Sequence, residues 1–320
     1  MANQPKHLRS HGWFLIIFVG VLISGCAGFR SSALLKKTGG IPAYFELDGV
    51  PFFPQKAYQC GPAALAEALR WSGLSITPEQ LTDEVFTPEK KGSLQAALIG
   101  AARRNGRIAY PLPGPEDLFK EVAAGNPVIV LQNLGLSWYP VWHYALVIGY
   151  DLTEKRVVLR SGNTVREVLS FWVFENTWDR SHHWGIVVLR PTQLPAAVKE
   201  DLFLKAVLGL EKARRFRDAI DGYQTALTRW PGSLPALMGI GNCYYALGKL
   251  EDAEIAFSKA TRIHPDSGSA FNNLAQILFE QGRKKEALAA AQKAVSLGGP
   301  FHSSYQKTLR EIQSESTATP

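Results

Sequence analysis

Residues 55–65 have the sequence Gln55-Lys56-Ala57-Tyr58-Gln59-Cys60-Gly61-Pro62-Ala63-Ala64-Leu65. A proline-punctuated segment leads into Cys60, and the Ala- and Leu-rich run at 63–71 predicts a helix. Pro62 suits the first helical turn, because an N–H at that position has no intrahelical partner. Cys60 is therefore expected at the positive end of a helix dipole, which predicts a lowered thiol pKa and a thiolate nucleophile.

A nucleophile needs a base, and the sequence offers His143. This residue stands near the start of the short apolar run 142–151, which predicts a buried strand. A cysteine on a helix N-terminus facing a histidine on a strand is the papain-like arrangement. Gln55 precedes Cys60 by five residues. Its side-chain amide, together with the Cys60 backbone N–H, is a candidate oxyanion hole.

The two blocks Gln-x4-Cys-Gly-Pro-Ala-Ala-Leu and Trp-His-Tyr-Ala-Leu-Val-Ile-Gly-Tyr-Asp resemble the bacteriocin-processing (double-glycine leader) cysteine peptidase family. More closely, the chain is similar to the free-standing lipoprotein branch of that family, which carries tetratricopeptide (TPR) repeats behind the peptidase. The resemblance implies an α+β papain-like cysteine peptidase domain, which we expect over residues 46–195. Helices that precede strands in the predicted order suit helices packed on an antiparallel sheet.

One position departs from the family pattern. Its members usually carry an Asp after the strand that follows the histidine strand, where it orients the imidazole. Here that place holds Ser161-Gly162-Asn163. Either Ser161 or Asn163 is therefore the candidate orienter, as in papain-like triads that use Asn. A neutral orienter stabilises an imidazolium less well than a carboxylate, which weakens the prediction of full peptidase activity.

The N-terminal segment predicts export and lipidation. Lys6 and Arg9 precede the apolar run 13–23, and Ile23-Ser24-Gly25-Cys26 resembles a bacterial lipobox. We expect a signal peptide over 1–25, lipidation at Cys26 and a tether over 26–45. By resemblance, Ala27 rather than Asp after the cysteine favours the outer membrane, facing the periplasm. The alternative is an uncleaved anchor helix.

The C-terminal region repeats itself every 34 residues. Proline, alanine and glycine positions recur at this interval, as in Pro231 and Pro265 or Ala219, Ala253 and Ala287. This spacing is typical of TPR helix pairs. We expect an all-α TPR solenoid of about three repeats over 198–301, which would bind a peptide or protein partner, and a C-terminal tail over 302–320 that is disordered from Ser314.

Composition excludes several function classes. The net charge of +7 is spread along the chain, without a basic block interleaved with aromatics, so no nucleic-acid partner is expected. Three cysteines make no disulfide framework, and Cys243 is interpreted as a small buried hydrophobe. His182-His183 would point to opposite sides of the chain, so neither a metal nor another cofactor is expected.

The aromatic stretch 134–142, which precedes His143, has two interpretations: a loop packed on the core or a wall of the substrate cleft. The sequence as a whole predicts a lipid-anchored cysteine peptidase of the bacterial cell envelope, in which Cys60 attacks a peptide carbonyl and the repeats bind substrate or partner. Two alternatives stay open. One is an inactive peptidase-like module that binds peptides beside a TPR adaptor, and the other is a papain-like cell-wall amidase or transpeptidase.

Overall fold

The structure, a computed structural model, describes residues 38–56 and 58–317. The predicted signal peptide, the lipidation site Cys26 and most of the tether lie outside these residues. Within the described ranges, no helix is both long and apolar enough to cross a membrane. The end of the predicted tether is wrong: strand β1 (Tyr44–Glu46) already belongs to the sheet, because its backbone pairs with residues 149–151 and Phe45 packs on the core.

The N-terminal domain is built on an antiparallel sheet of seven strands. Their order is β4-β9-β5-β6-β7-β8, and β1 pairs with the C-terminal half of β6. The remaining bounds are β4 (Ile108–Pro111), β5 (Val128–Asn133), β6 (Trp142–Asp151), β7 (Arg156–Ser161), β8 (Thr164–Ser170) and β9 (Gly185–Leu189). A separate small hairpin pairs β2 (Phe86–Thr87) with β3 (Gly92–Ser93).

Helices cover both faces of the sheet. They are α1 (Cys60–Trp71), α2 (Pro78–Val85), α3 (Gln95–Arg104), α4 (Leu118–Ala123) and α5 (Phe171–Asp179). Successive residues of β5 point to opposite faces, so Ile129 packs in the core beneath α1 and Val130 in the core on the other side. Burial on both faces explains why the central strands β5 and β6 are largely continuous apolar runs rather than alternating ones. The predicted α+β domain is confirmed.

A run of helices follows, as predicted for TPR repeats. The helix pairs are α6 (Glu200–Lys212) with α7 (Phe216–Arg229), α8 (Leu234–Ala246) with α9 (Leu250–Ile263), and α10 (Gly268–Glu280) with α11 (Lys284–Leu297). Small residues allow close crossings: a Cβ on Gly241 would lie 2.5 Å from the Phe257 ring. Residues 302–317 form helix α12 rather than a tail, because Tyr305 and Ile312 bury themselves against the last repeat.

The two domains share one hydrophobic core. Helix α6 packs on β4, and Phe203 and Val207 lie fully buried in the cluster that contains Ile108. The hydroxyl of Tyr110 donates to the Ala197 carbonyl at 2.9 Å and accepts the backbone N–H of Lys199 at 3.0 Å. The first repeat therefore packs on the peptidase domain rather than on a preceding repeat.

Candidate active site

Helix α1 begins at Cys60, three residues before the predicted run 63–71, so Cys60 lies at the helix N-terminus as expected. The helix start packs tightly on the hairpin β2–β3, because a Cβ on Gly61 would lie 2.4 Å from Ser93 Oγ. Only glycine fits at this position without displacing Ser93 or the start of α1. The Cys-Gly-Pro sequence thus does two things: it begins the helix, and it brings the cysteine against a neighbouring strand.

His143 lies in β6, opposite Gln132 of β5. Its Nε2 lies 3.0 Å from Oγ of Ser161, the last residue of β7. The pairing of β7 with β8 shifts register between Leu159 and Ser161, an irregularity of the kind that redirects side chains near functional sites. Asn163 lies exposed in the turn after β7. Of the two candidate orienters, Ser161 is therefore the one that contacts the imidazole.

The Cys60 sulfur lies beside Tyr144 of β6. Hydrogen bonds from the backbone of Tyr144 and of Gly61, the next residue of α1, favour the thiolate. Burial of the sulfur is the larger effect, and it raises the pKa of the Cys60 thiol above its usual value. Burial also lowers the pKa of His143, against a smaller opposing effect of Glu167. The prediction of a lowered thiol pKa is wrong: the helix start acts in the expected direction, but desolvation outweighs it. Both shifts favour a neutral thiol and a neutral imidazole in the same cleft.

Gln55 approaches the same site from the segment before α1. Its backbone N–H donates to the Gly162 carbonyl at 3.1 Å, which ties this segment to the end of β7. Its side-chain Nε2 is buried and has no hydrogen-bond partner among the described residues. A buried amide donor without a partner is costly in a folded protein, so it needs an explanation. A negative charge that develops in the site would supply the missing acceptor.

Glu67 supports the site from outside the cleft, and the sequence pattern did not lead us to it. This carboxyl is fully buried on α1, and its Oε1 accepts the backbone N–H of Phe53 at 2.9 Å. It therefore fastens the segment that carries Gln55 to the helix that carries Cys60. Burial raises the pKa of Glu67 to about 8. The available signal was a single acidic residue within the otherwise apolar run Ala63-Ala64-Leu65-Ala66-Glu67-Ala68-Leu69.

Gln55, Cys60 and His143 line one cleft of about 1220 Å³. The stretch 134–142 forms the connection between β5 and β6, and it is largely exposed, with 81% of Trp138 accessible. Tyr139, Val141 and Trp142 from this stretch line the cleft. Of its two interpretations, the cleft wall is the one that the structure supports.

Comparisons with known proteins agree with this architecture. Residues 47–185 match the Peptidase C39 like family, and residues 204–268 and 256–300 match a tetratricopeptide repeat family. A search of curated proteins by sequence found no match.

Solved structures similar to parts of the chain include a putative C39-like peptidase from Bacillus anthracis. It is 20% identical, with a TM-score of 0.39, and the match covers 46% of this chain and 97% of that one. The first TPR of Spaghetti (RPAP3), bound to an HSP90 peptide, is 18% identical with a TM-score of 0.35 over 38% of this chain and 94% of its own. The Sgt2 TPR domain from Aspergillus fumigatus is 24% identical, with a TM-score of 0.34, and the match covers 38% of this chain and 84% of that one.

The two family matches and the fold together define the class of each domain. The chain consists of a C39-like peptidase domain with an α+β fold, followed by a solenoid of TPR repeats.

Proposed function

We propose that this protein is a cysteine peptidase of the bacterial cell envelope, with TPR repeats that bind its substrate or a partner protein. The observation that carries the proposal is the convergence in one cleft of Cys60, His143 and the Gln55 amide, which has no hydrogen-bond partner in the described part of the chain. A nucleophile, a base and an oxyanion donor are the three groups that acyl transfer to a thiol requires.

In the proposed reaction, Cys60 Sγ forms a bond to the carbonyl carbon of a peptide while its proton passes to His143. The carbonyl oxygen becomes an oxyanion, which accepts hydrogen bonds from Gln55 Nε2 and the Cys60 backbone N–H. His143 then gives the proton to the leaving amine as the C–N bond breaks. Water, deprotonated by His143, hydrolyses the thioester and restores the free thiol.

We assign the orientation of His143 to Ser161 rather than Asn163, on the basis of the 3.0 Å contact. A hydroxyl fixes the ring but adds no negative charge, so it stabilises the imidazolium less than Asp would. Together with the raised pKa of Cys60, this favours a resting neutral pair in which the thiol loses its proton only as it attacks.

The neutral partner of His143 and the raised pKa of Cys60 also support a second candidate, an inactive peptidase-like module that binds peptides. In that case Cys60 and His143 no longer catalyse a reaction, and the function lies in the repeats. Similarity of residues 204–300 to TPR repeats is consistent with peptide or protein partners under either proposal.

Membrane attachment is proposed from the sequence alone. The lipobox-like Ile23-Ser24-Gly25-Cys26 supports acylation of Cys26, anchoring at the outer membrane and kinship with the lipoprotein branch of the double-glycine peptidases. Cys26→Ala should abolish incorporation of a labelled fatty acid and release the protein from the membrane fraction. Retention of Cys26→Ala in the membrane would instead support an uncleaved anchor helix.

Proteolysis is tested with the detergent-solubilised full chain and a mixture of unstructured peptides, with products identified by mass spectrometry. We expect cleavage by the wild type and none by Cys60→Ala or His143→Ala. In parallel, the rate at which iodoacetamide labels Cys60 is followed against pH, with the label located by peptide mapping so that Cys243 does not contribute. Cleavage by Cys60→Ala at the wild-type rate would contradict the mechanism, and no cleavage by any form would favour the binding module.

A further inference from the structure

The cleft around Cys60 has a one-sided charge. Four of its lining residues are basic, namely Lys56, Lys90, Lys91 and Arg180, and none of the described lining residues is Asp or Glu. Lys56 lies 3.8 Å from Glu79, with both side chains largely exposed, and such a pair is weak because water screens it. The guanidinium of Arg180 is already hydrogen-bonded to the backbone, since its Nη1 donates to the Asn133 carbonyl at 3.0 Å.

Lys90 and Lys91 make no ion pair with any described residue, so they contribute the uncompensated charge. Both lie exposed in the connection between β2 and β3, next to Glu89, which does not line the cleft. Lys91 has a left-handed backbone, with φ of 46°, and this conformation turns the chain into β3.

The two lysines are held at a short distance from the nucleophile. Ser93 of β3 packs on Gly61, and its carbonyl accepts the Tyr144 hydroxyl at 3.1 Å. The Cα of Lys91 is two residues from that of Ser93, which limits their separation to about 7 Å. A peptide bound at Cys60 therefore passes within reach of long lysine side chains on this side.

A second group of lining residues is aromatic and uncharged. Tyr139 and Trp142 are exposed aromatic residues that line the cleft. Tyr139 lies in the connection between β5 and β6, and Trp142 is the first residue of β6. Asn133 orders the backbone of this connection, because its Oδ1 accepts the backbone N–H groups of Gly135 at 3.0 Å and Val141 at 2.9 Å. A backbone that is already ordered loses less conformational entropy when its aromatic side chains bind an apolar group.

We propose, resting on the peptidase function proposed above, that the cleft selects peptides that carry both acidic residues and bulky apolar residues next to the scissile bond. Lys90 and Lys91 bind the acidic side chains, and Tyr139 with Trp142 binds the apolar ones. Opposite charges across the cleft steer the acidic peptide into place, and like charges exclude a basic one. An anionic membrane surface would suit exposed lysines, but these two line a concave site that also holds the nucleophile, which favours a peptide.

Binding to the full-length Cys60→Ala protein in neutral detergent tests the selectivity without turnover. The probes are fluorescent decapeptides with an Ala-Ala centre, flanked by Glu-Glu on one side and Phe-Trp on the other, in both orders. Matched peptides carry Gln-Gln or Lys-Lys in place of Glu-Glu, or Ala-Ala in place of Phe-Trp. We expect the better Glu-Glu order to bind about tenfold tighter than its Gln-Gln counterpart at about 50 mM salt, and this ratio to shrink at about 500 mM salt.

The double variant Lys90→Glu/Lys91→Glu should reverse the preference toward the Lys-Lys peptide, with thermal unfolding as the control for folding. The matched control is Lys155→Glu/Arg156→Glu, which places the same charge change on the exposed turn that leads into β7, outside the lining of the cleft, and should leave the preference unchanged. Equal binding of the Glu-Glu and Gln-Gln peptides, or an unchanged preference in the double variant, would overturn the inference. Displacement of the peptide by vesicles rich in phosphatidylglycerol, but not by neutral vesicles, would assign the lysines to a membrane instead.

The two proposals fail in different ways. Selective binding without cleavage by the wild type would refute the peptidase function and leave the acidic-peptide site standing. Cleavage by the wild type without any charge preference would refute this inference and leave the peptidase function standing.

Discussion

Ser161 Oγ lies 3.0 Å from Nε2 of His143, so the group that faces the imidazole is a neutral hydroxyl. A hydroxyl satisfies the ring nitrogen but cannot compensate a positive charge on it. This pair therefore sets how readily His143 accepts the proton of Cys60, and it can be altered by a single substitution.

Ser161→Asp should raise the pKa of His143 and stabilise the imidazolium, because a carboxylate would replace a neutral partner. We expect labelling of Cys60 by iodoacetamide at about pH 6 to rise about tenfold over the wild type. Ser161→Ala is the matched control, which removes the hydrogen bond and should lower kcat without this gain. Equal labelling rates in all three proteins would show that Ser161 does not act on His143.

Gln55→Ala should lower kcat by about a hundredfold with little change in KM, because the lost donor acts on charge that develops in the transition state. The substitution should leave the labelling of Cys60 by iodoacetamide unchanged, since alkylation forms no oxyanion. Gln55→Glu keeps the shape of the side chain but places an acceptor where a donor is needed, so it should be at least as damaging. Slower alkylation in Gln55→Ala would instead indicate that Gln55 only supports the local fold.

Glu67 should make stability depend on pH. Burial raises its pKa from 4.5 to about 8, so the folded protein keeps a proton that the unfolded chain has already released. The associated stabilisation is fully present below about pH 4.5 and is lost as the pH rises toward 8. Relative to Glu67→Gln, which retains an acceptor for the Phe53 N–H, the wild type should lose on the order of 3 kcal/mol between pH 5 and pH 9.

Urea denaturation of the two proteins at both pH values measures this difference directly. Other buried carboxyls, such as Glu121, contribute equally to wild type and variant and so cancel in the comparison. Parallel stability curves for the two proteins would mean that Glu67 titrates normally.

Gly61→Ala should reduce activity through geometry. The added Cβ would lie 2.4 Å from Ser93 Oγ and 2.5 Å from Ser93 Cβ, so either β3 or the start of α1 must shift. We expect kcat to fall about tenfold or more, because small displacements of a nucleophile are costly. Ser93→Gly removes the clashing atoms, so the double variant Gly61→Ala/Ser93→Gly should recover most of the lost activity. A double variant no better than Gly61→Ala would place the cause elsewhere.

Much of this protein can be predicted from local sequence patterns. The helix that begins at Cys60, the strand that carries His143 and the 34-residue spacing of the repeats depend on residue types at short separations, and the chain carries those signals directly. The same is true of the choice of Gln55 as a candidate donor, because it stands at a fixed, short distance before the cysteine. Helix α12 was not predicted, because its stability comes from packing on the last repeat rather than from its own polar sequence.

Only the tertiary structure decided the rest. It showed that Ser161 rather than Asn163 contacts His143, because a shift in strand register determines which side chain faces the ring. It reversed the expected direction of the pKa shift of Cys60. Desolvation, which raises this pKa, depends on what packs around the sulfur and not on the helix start alone. It also brought Lys90 and Lys91 to the same cleft as Tyr139 and Trp142. These groups are separated by about fifty residues in the sequence, and charge and apolar surface combine into one site only when the chain folds.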